Sequence, residues 1–328
     1  MSLLAVQDLS VSFPTADGVV EAVRGISFEV ESGKTLGIVG ESGSGKSVAT
    51  QTIVGLTQGA RITGQALFEG HDLLAMTREE LRHIRGARIA MIFQDPLSSL
   101  HPQYRVGWQI VEAIQAHERV TKDVARRRTI ELLGHVGIPQ PARRADDYPH
   151  QFSGGMRQRA MIAMAIALNP RLLIADEPTT ALDVTVQAQI IDLMKQLQAE
   201  FGMSIIMITH DLGVLAGLAD EVMVMYAGRA MERGSRRTVY RNAYHPYTRG
   251  LIQALPRRAA PKARLTAIAG LPPSLIRPPA GCPFHPRCPY VFDRCRSEMP
   301  PLAAVEPGHR SACWLPVEQL VASGERST

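Results

Sequence analysis

The spacing of apolar residues changes along the chain and divides it into regions with different predicted structure. Up to about residue 95, apolar residues alternate or cluster between glycines and charged residues, as in LLAVQDLSVSF, GISFEV and KTLGIVG, which predicts a strand-rich start. Helices are predicted from Lys46 to Gly55 and from Thr77, where TREE has the form of a capping box. Helical spacing becomes clear from Val106 and predicts a helical subdomain at about residues 100–168.

Strand and helix patterns alternate after this helical region. The segments RLLIAD, SIIMIT and EVMVMYAG are typical of buried strands, and VTVQAQIIDLMKQLQAEFG and DLGVLAGLA lie between them with helical spacing. This alternation predicts an α/β fold in which helices cover both faces of a mostly parallel sheet. Proline becomes frequent after Gly234, so we predict a large domain at residues 1–234 and a loop-rich C-terminal extension at residues 235–328.

Composition and charge narrow the class of protein. With 328 residues, 45% of them hydrophobic, the chain is long enough for a full core and an appendage. The net charge of +5 comes from 36 basic and 31 acidic residues that are spread out, without the dense basic stripe of a nucleic-acid-binding protein. The longest apolar runs fall short of the roughly 18 residues that a membrane span needs, and the first residues lack a basic region and a cleavage site. We therefore expect a soluble, unexported chain with no nucleic-acid partner.

The stretch GESGSGKS has the GxxxxGK[ST] form of a phosphate-binding loop, between an apolar strand and a helix. Glycines let the backbone amides turn toward a β-phosphate, and the helix N-terminus adds about half a positive charge. We expect Lys46 to reach the β- and γ-phosphates, Ser47 to ligate Mg²⁺, and the amide of Val48 to point at the α-phosphate. The predicted loop residues are Gly40, Glu41, Ser42, Gly43, Ser44, Gly45, Lys46 and Ser47.

A second feature is the apolar run RLLIADEP, which ends in Asp176 and Glu177. Acidic residues at strand ends often serve for solvation alone, but ligands of open α/β folds also bind at the carboxyl edge of the sheet. The phosphate-binding loop supplies the missing partner for these carboxylates. We therefore expect Asp176 to belong to the Mg²⁺ shell and Glu177 to act as the general base on the attacking water.

The segment QFSGGMRQRA resembles the signature sequence of ABC-type ATPases, which is usually written LSGGQ. Phe152 replaces leucine and Met156 replaces glutamine, so the contacts of that glutamine are not expected. Ser153, Gly154 and Gly155 are predicted at the head of a helix, where they form a second anion-binding terminus. In this family the signature faces the phosphate loop of the other protomer. The resemblance therefore implies that two ATP molecules are sandwiched between two subunits.

Other positions follow the order of this family, and the resemblance implies their roles. Gln94 in MIFQDP matches the Q-loop glutamine, which senses Mg²⁺ and the attacking water. Asp183 in TALD matches the D-loop, and His210 in ITHD matches the switch histidine that binds the γ-phosphate. Phe13 resembles the aromatic residue that stacks on adenine. The implied fold is an ABC ATPase cassette with a RecA-like core sheet, a β-rich N-terminal subdomain and a helical insert.

Three further stretches narrow the resemblance to the oligopeptide, dipeptide and nickel importers. MIFQDPLSSLHP resembles the coupling region of their ATP-binding subunits, and AYHPYTRGLIQALP and GCPFHPRCP resemble their C-terminal extension. The resemblance implies an ATP-hydrolysing subunit for peptide uptake, peripheral to the cytoplasmic face of the inner membrane. It also implies two transmembrane permease subunits, an external solute-binding protein that acts indirectly, and a second ATP-binding subunit, in a heterodimer or alternatively a homodimer.

All four cysteines of the chain lie in the proline-rich tail, at Cys282, Cys288, Cys295 and Cys313. Because the cytosol keeps thiols reduced, a disulfide framework is not expected. The intervals C-x5-C, C-x6-C and C-x17-C are wider than those of most zinc ribbons. Four thiolates suit Zn²⁺ or a [4Fe–4S] cluster, and four independent thiols are the third interpretation. Members of the resembled family carry an iron–sulfur cluster here, so the resemblance favours the [4Fe–4S] cluster, with zinc as the alternative.

Rival functions stay open at this stage. A non-transport ABC ATPase acting on nucleic acid or ribosomes usually has tandem cassettes or long coiled coils, whereas this sequence has one cassette and no sustained heptads. An importer of nickel or other small solutes would share the same motifs. A tail that acts as a redox sensor or electron carrier is a further alternative.

Overall fold

The structure is a computed structural model that describes residues 2–95, 99–180, 182–255, 268–316 and 319. Parts of the predicted coupling stretch, of the TALD motif and of the C-terminal extension lie outside the described residues. By its internal contacts the chain forms two compact units. The first unit consists of Met1–Ser2, Val30–Thr35 and Ala75–Ile208, and the second of Leu3–Glu29, Leu36–Leu74 and Thr209–Thr328. The boundary predicted at residue 234 came from a change in sequence composition and not from contacts within the chain, so it stays a prediction.

Strands and helices alternate through most of the described residues. The strands are β1 Ser2–Thr15, β2 Gly18–Glu31, β3 Thr35–Val39, β4 Arg61–Phe68, β5 His71–Asp72, β6 Ile89–Ile92, β7 Leu172–Asp176, β8 Ser204–Thr209, β9 Glu221–Tyr226, β10 Arg229–Ser235, β11 Ala303–Glu306 and β12 His309–Ser311. The α-helices are α1 Lys46–Ile53, α2 Arg78–Ile84, α3 Val106–Gln115, α4 Lys122–His135, α5 Pro141–Arg144, α6 Gly154–Ala165, α7 Val184–Phe201, α8 Leu212–Leu218, α9 Arg236–Arg241, α10 Pro246–Gln253 and α11 Asp293–Ser297. Short 3₁₀ turns lie at Pro149–Gln151 and His285–Arg287.

The first unit contains three neighbouring parallel strands, in the order β8-β7-β6. Leu172 of β7 pairs with Ile89 on one side and Ser204 on the other. Every residue of β7 and β8 is buried, as expected for strands that are covered on both faces. This register places the residues that follow β6 and β7 at the same edge of the sheet.

The helices of the first unit begin at side-chain caps that the sequence supplies. The predicted capping box at Thr77 is present, because its hydroxyl accepts from the Glu80 N–H while the Glu80 carboxylate accepts from the Thr77 N–H. Thr121 caps α4 by accepting a hydrogen bond from the Val124 N–H. Helices α3 to α6 lie in the region that was predicted to be helical.

The second unit contains two sheets. Strands β2, β1, β4 and β5 form a four-stranded sheet in that order, and strands β11, β12, β10, β9 and β3 lie side by side. Within the second group β3 and β9 are parallel, whereas the other pairs are antiparallel. Helix α1 ends at Ile53, two residues before the predicted end at Gly55, because Gly55 adopts a φ of 66° that a right-handed helix excludes.

The C-terminal extension is loop-rich, as predicted, but a hairpin that the sequence analysis did not predict anchors it. Strands β11 and β12 form this hairpin, and β12 pairs with β10 at Glu232↔Ser311. The Glu232 carboxylate is fully buried, lies 2.8 Å from His309 Nε2 and accepts from the N–H groups of Tyr244 and His245. A buried carboxylate with these partners ties the extension to the sheet.

No helix among the described residues combines the length and the apolar character that a membrane crossing requires.

Candidate functional sites

The phosphate loop, Gly40–Ser47, lies in the second unit and follows β3 directly. A Cβ atom on Gly40 would lie 2.1 Å from the Met225 carbonyl oxygen, and one on Gly45 would lie 2.2 Å from the Ala22 carbonyl oxygen. Gly45 also has a φ of 95°. Because backbone atoms occupy the space of both missing side chains, only glycine fits at these two positions.

Lys46 and Ser47 begin helix α1 at the end of this loop. Lys46 is 4% exposed, and its Nζ donates to the carbonyl oxygens of Gly40 at 2.7 Å and Glu41 at 2.9 Å. The first turn of α1 has no acidic residue and no side-chain cap. The lysine charge and the helix N-terminus therefore create an electrostatic setting that suits an anion. Phe13 is half-buried in β1, and Val48 is half-buried in the first turn of α1.

The first unit brings Gln94, Asp176 and Glu177 to the edge where the parallel strands end. Asp176 is the last residue of β7 and is 4% exposed. One Glu177 carboxylate oxygen, Oε2, accepts from Gln94 Nε2 at 3.2 Å and from Thr180 Oγ1 at 2.9 Å. Glu177 has a φ of 47°, which is uncommon outside glycine and often marks a functional position. The predicted base is thus held by two donors and by its backbone.

The predicted signature residues lie at the start of helix α6. The Ser153 hydroxyl accepts from the Met156 N–H at 3.3 Å, so Ser153 is the N-cap, and Gly154 and Gly155 form the first turn. A Cβ on Gly155 would lie 3.1 Å from Val186 Cγ1, which places the start of α7 beside the signature. Asp183 caps α7 by accepting from the Val186 N–H at 2.9 Å. Signature and D-loop residues therefore share one surface of the first unit.

His210 lies in the second unit and follows β8 directly, as predicted. It is exposed, and the next residue, Asp211, caps helix α8 by accepting from the Gly213 N–H at 2.7 Å. The cap fixes the turn that carries the histidine. Gln94, Ser153, Gly154, Gly155, Asp176, Glu177 and Asp183 belong to the first unit, whereas Phe13, the phosphate loop, Val48 and His210 belong to the second.

The four cysteines line a single cavity in the second unit, which we name the cysteine cavity. Its space is about 340 Å³, part of which is open to solvent. Cys282 and Cys295 are buried, Cys288 and Cys313 are half-buried, and none forms a disulfide. Most of the other lining side chains are aromatic or apolar. They include Pro246, Phe284, Tyr290, Phe292, Pro300, Trp314 and Leu315.

Burial affects the acidity of these thiols. It raises the pKa of Cys282 to about 12 and the pKa of Cys313 to about 11, and it raises the pKa of Cys288 as well. Nearby cysteines add to each of these shifts, because a second thiolate would repel the first. A metal that bound here would have to displace these protons, so its affinity would increase with pH.

The described cysteine positions do not form a ready-made metal site. In the ranges that the structure describes, no group of three or more histidine, cysteine, aspartate or glutamate side chains could hold a metal ion as it stands. The thiols surround a common cavity instead. Four cysteine thiolates are a donor set that both a [4Fe–4S] cluster and a zinc ion use.

Sequence reasoning missed the partners of Glu41 in the phosphate loop. The Glu41 carboxylate pairs with Arg287, and its N–H donates to the Tyr247 hydroxyl. Both partners come from the stretches AYHPYTRGLIQALP and GCPFHPRCP, which carried only a family resemblance. A lone acidic residue in a loop that binds anions is the signal that could have suggested a basic partner.

Comparisons with known proteins agree with this geometry. The family model described as ABC transporter matches residues 23–180, and the model described as oligopeptide/dipeptide transporter, C-terminal region, matches residues 231–295. Among solved structures, the ATP-binding cassette MJ0796, a dimer in a post-hydrolysis state bound to ADP and phosphate, is similar with a TM-score of 0.65 and 26% identity, over 71% of this chain and 99% of that chain. CbiO1 from Clostridium perfringens is similar with a TM-score of 0.62 and 29% identity, over 73% of this chain and 90% of that one. The predicted ABC ATPase cassette is confirmed by these similarities.

Curated relatives match nearly the whole chain. The oligopeptide transport ATP-binding protein OppD of Salmonella typhimurium is 51% identical, over 97% of this chain and 95% of the relative. The dipeptide transport ATP-binding protein DppD of Bacillus subtilis is 50% identical, over 98% of each chain, and DppD of Escherichia coli is 50% identical, over 97% and 98%. The chain therefore belongs to the ABC transporter family of ATPases, and within it to the oligopeptide/dipeptide transporter ATP-binding proteins.

Proposed function

We propose that this chain is the ATP-hydrolysing subunit of an importer that takes up oligopeptides or dipeptides. The proposal depends on one observation. The chain shares 51% and 50% of its sequence, over 97% and 98% of its length, with relatives that are named for oligopeptide and dipeptide transport. The C-terminal match supports it further, because that family model is named for oligopeptide and dipeptide transporters.

The chemistry proposed for the chain is the transfer of the γ-phosphoryl group of ATP to water. Lys46 binds the β- and γ-phosphates, and Ser47, Asp176 and Gln94 belong to the Mg²⁺ shell. Bound Mg²⁺ supplies charge neutralisation on the phosphate oxygens. Glu177 accepts a proton from the attacking water, and its hydrogen bond from Gln94 holds the carboxylate in one orientation before ATP arrives.

Further residues complete the proposed nucleotide site. Phe13 stacks on adenine, where base stacking is worth about 1 to 3 kcal/mol. The amide of Val48 donates to the α-phosphate, and His210 donates to the γ-phosphate. The remaining loop residues cradle the phosphates with backbone amides, as a glycine-rich loop at a helix N-terminus does.

The signature implies a second ATP-binding subunit. Ser153, Gly154 and Gly155 of this chain contact the phosphates that are held by the partner subunit, and Asp183 lies at the same interface. The N-cap at Ser153 supports this role, because its hydrogen bond from the Met156 N–H fixes the first turn of α6 while Ser153 and Gly154 stay exposed. The partner is a related ATPase in a heterodimer, with a homodimer as the alternative. ATP binding closes the pair and hydrolysis opens it, since nucleotide and interface affinities are linked.

The assembly proposed for the importer places this chain on the cytoplasmic face of the inner membrane. It contacts two transmembrane permease subunits, and an external solute-binding protein delivers peptide to them. The chain has no nucleic-acid partner in this scheme.

We propose that the cysteine cavity holds a [4Fe–4S] cluster, with zinc as the alternative. The ligands would be Cys282, Cys288, Cys295 and Cys313. Support comes from the convergence of all four thiols on one largely apolar cavity in a segment with little regular structure. Bound metal stabilises such a segment because binding free energy becomes folding free energy. Visible absorption together with iron and zinc analysis of anaerobically purified protein tests this. Iron with the absorption of a cluster supports the proposal, zinc selects the alternative, and metal-free protein of full stability contradicts both.

An uptake experiment tests the transport function. The chain is reconstituted in proteoliposomes with two permease subunits and the second ATPase subunit of a peptide importer, together with the solute-binding protein, and uptake of a radiolabelled tripeptide is measured with ATP. We expect uptake that is lost with Lys46→Ala. Uptake of Ni²⁺ complexes without uptake of peptide would contradict the proposed substrate, and ATP hydrolysis without any uptake would contradict the importer.

A further inference from the structure

A partly buried ion pair connects the C-terminal extension to the phosphate loop within the second unit. Arg287 Nη1 lies 2.6 Å from Glu41 Oε2, and Arg287 Nη2 lies 3.0 Å from Glu41 Oε1. The Arg287 side chain is 4% exposed and the Glu41 side chain 27%. Two parallel hydrogen bonds of this kind are the strongest arrangement between arginine and a carboxylate, and they fix orientation as well as distance.

Arg287 is itself held in place by several acceptors. Its Nε donates to the Ala269 carbonyl oxygen at 2.9 Å, Nη2 donates to the Ile268 carbonyl oxygen at 3.2 Å, and Nη1 donates to the Tyr226 hydroxyl at 3.1 Å. The pair with Glu41 and these three contacts use all three nitrogens of the guanidinium group. The pair raises the pKa of Arg287 above its ordinary value, so the side chain stays charged. The guanidinium is therefore a fixed charge against which Glu41 is oriented.

Tyr247 holds the backbone of the same loop residue. Its hydroxyl accepts a hydrogen bond from the Glu41 N–H at 2.9 Å. The tyrosine is fully buried, with its ring centroid 4.6 Å from that of Tyr226 and 5.3 Å from that of Phe284. Burial raises the pKa of Tyr247, so the hydroxyl stays neutral and remains available to this N–H. The extension thus contacts both the side chain and the backbone of Glu41.

Glu41 matters for phosphate binding because of its charge and its neighbour. Its carbonyl oxygen accepts from Lys46 Nζ at 2.9 Å, so the position of Glu41 also affects the lysine proposed to bind the phosphates. Its carboxylate adds a negative charge to a loop that has to bind a polyanion. Without a cation beside it, this carboxylate would repel the phosphates at short range.

We propose that Arg287 and Tyr247 are positioning residues for nucleotide binding, and that the C-terminal extension sets the affinity of the phosphate loop through Glu41. This inference rests on the proposed ATP site. Arg287 neutralises the Glu41 carboxylate, and Tyr247 fixes the Glu41 amide, so that Lys46 and the loop amides keep their arrangement. Neither residue touches the phosphates. Their removal should weaken nucleotide affinity rather than abolish the chemistry of hydrolysis.

A double-mutant experiment on the full-length chain tests the role of Arg287. Binding of the Mg²⁺ complex of the non-hydrolysable analogue AMP-PNP is measured by calorimetry for Arg287→Gln, Glu41→Gln and the double variant. We expect Arg287→Gln to raise Kd about tenfold, because it leaves Glu41 without a partner. The double variant should bind more tightly than Arg287→Gln, because it also removes the repelling charge. Steady-state ATP hydrolysis by Arg287→Gln should show a raised KM, with kcat within about twofold of the wild-type value.

Two matched controls separate this role from general stability. Arg126→Gln breaks another two-bond pair, with Asp146 at 3.1 and 2.7 Å, in the helical part of the first unit. Tyr244→Phe removes another hydroxyl in the same extension, one that donates to Glu306 and does not contact the phosphate loop. Both controls should bind the analogue as the wild type does. Tyr247→Phe should raise Kd about threefold, since the Glu41 N–H loses its acceptor while the ring packing is kept.

The outcomes distinguish this inference from the proposed function. Wild-type affinity in Arg287→Gln, or a double variant that binds no better than Arg287→Gln, would overturn the inference alone. A wild-type chain that binds no nucleotide, or Lys46→Ala with unchanged affinity, would overturn both. If Arg287→Gln does not fold, Tyr247→Phe provides the test, because it removes the acceptor of the Glu41 N–H and keeps the ring packing. Wild-type affinity in Tyr247→Phe would then contradict the inference.

Discussion

The cassette and its C-terminal extension position their functional residues in different ways. In the cassette, Asp176 ends a buried strand, Lys46 begins a helix, and Ser153 caps another, so regular structure places each side chain. In the extension, short elements are held by individual polar contacts. Examples are the hydrogen bond from the Tyr244 N–H to the Glu232 carboxylate and the ion pair between Arg287 and Glu41. We therefore expect the stability of the cassette to tolerate the loss of one side chain at these strand ends and helix caps, whereas the stability of the extension should not.

The largest expected effect separates chemistry from structure in the cassette. Glu177→Gln should lower the rate of ATP hydrolysis by about 10²- to 10⁴-fold, the usual contribution of a general base. Binding of ATP and thermal stability should change little, because the amide can still accept from Gln94 and Thr180. Phosphate release and calorimetric binding measure the two effects, and Glu200→Gln, on the exposed face of α7, is the control. Hydrolysis at the wild-type rate would remove the assignment of Glu177.

A second variant tests the close approach of backbone atoms at Gly40 in the phosphate loop. Gly40→Ala should destabilise the fold by about 4 kcal/mol or more and abolish nucleotide binding, because the new Cβ would lie 2.1 Å from the Met225 carbonyl oxygen. Gly59→Ala is the matched control, since its φ is 69° and no atom lies within 4 Å of the new Cβ. That control should lose only about 1 to 2 kcal/mol. Equal losses in thermal unfolding of the two variants would contradict the close approach at Gly40.

The extension should fail when one of its polar contacts is removed. Glu232→Ala should cost about 3 kcal/mol, because the N–H groups of Tyr244 and His245 and the ring of His309 lose a buried acceptor together. Glu298→Ala removes an exposed carboxylate that pairs with Arg294, and it should cost less than about 1 kcal/mol. Denaturant unfolding measures both. A Glu232 variant as stable as the Glu298 variant would show that the anchor is unimportant.

The smallest expected effect compares two helix caps. Ser153→Ala and Thr121→Ala should each cost about 1 kcal/mol of stability, because each removes one capping hydrogen bond. Only Ser153→Ala should also lower ATP hydrolysis by the assembled subunit pair, since Thr121 lies at a cap without a proposed ligand. Equal hydrolysis by the two variants would remove the signature serine from the proposed interface.

Sequence patterns predicted the cassette well because its elements are local. The strand before Asp176, the helix after Gly45 and the capping box at Thr77 each follow from a few consecutive residues. The predicted end of α1 was two residues late, because a glycine with positive φ ended the helix before the pattern did.

Contacts between distant residues were not predictable in the same way. Arg287 and Glu41 are 246 residues apart in sequence, and Glu232 and His309 are 77 apart. No local period or propensity reports such a pair, and each residue alone is typical of a solvated charge. The hairpin β11–β12 was missed for a related reason, since its strands have four and three residues and depend on pairing with β10.

The most direct test of the account is a cryo-electron microscopy structure of the assembled importer that carries Glu177→Gln and is saturated with MgATP. The account predicts phosphate oxygens in contact with Lys46 and Ser47, with Arg287 still paired to Glu41. Nucleotide phosphates bound away from Lys46, or a phosphate loop whose Glu41 has left Arg287 when ATP is bound, would contradict it.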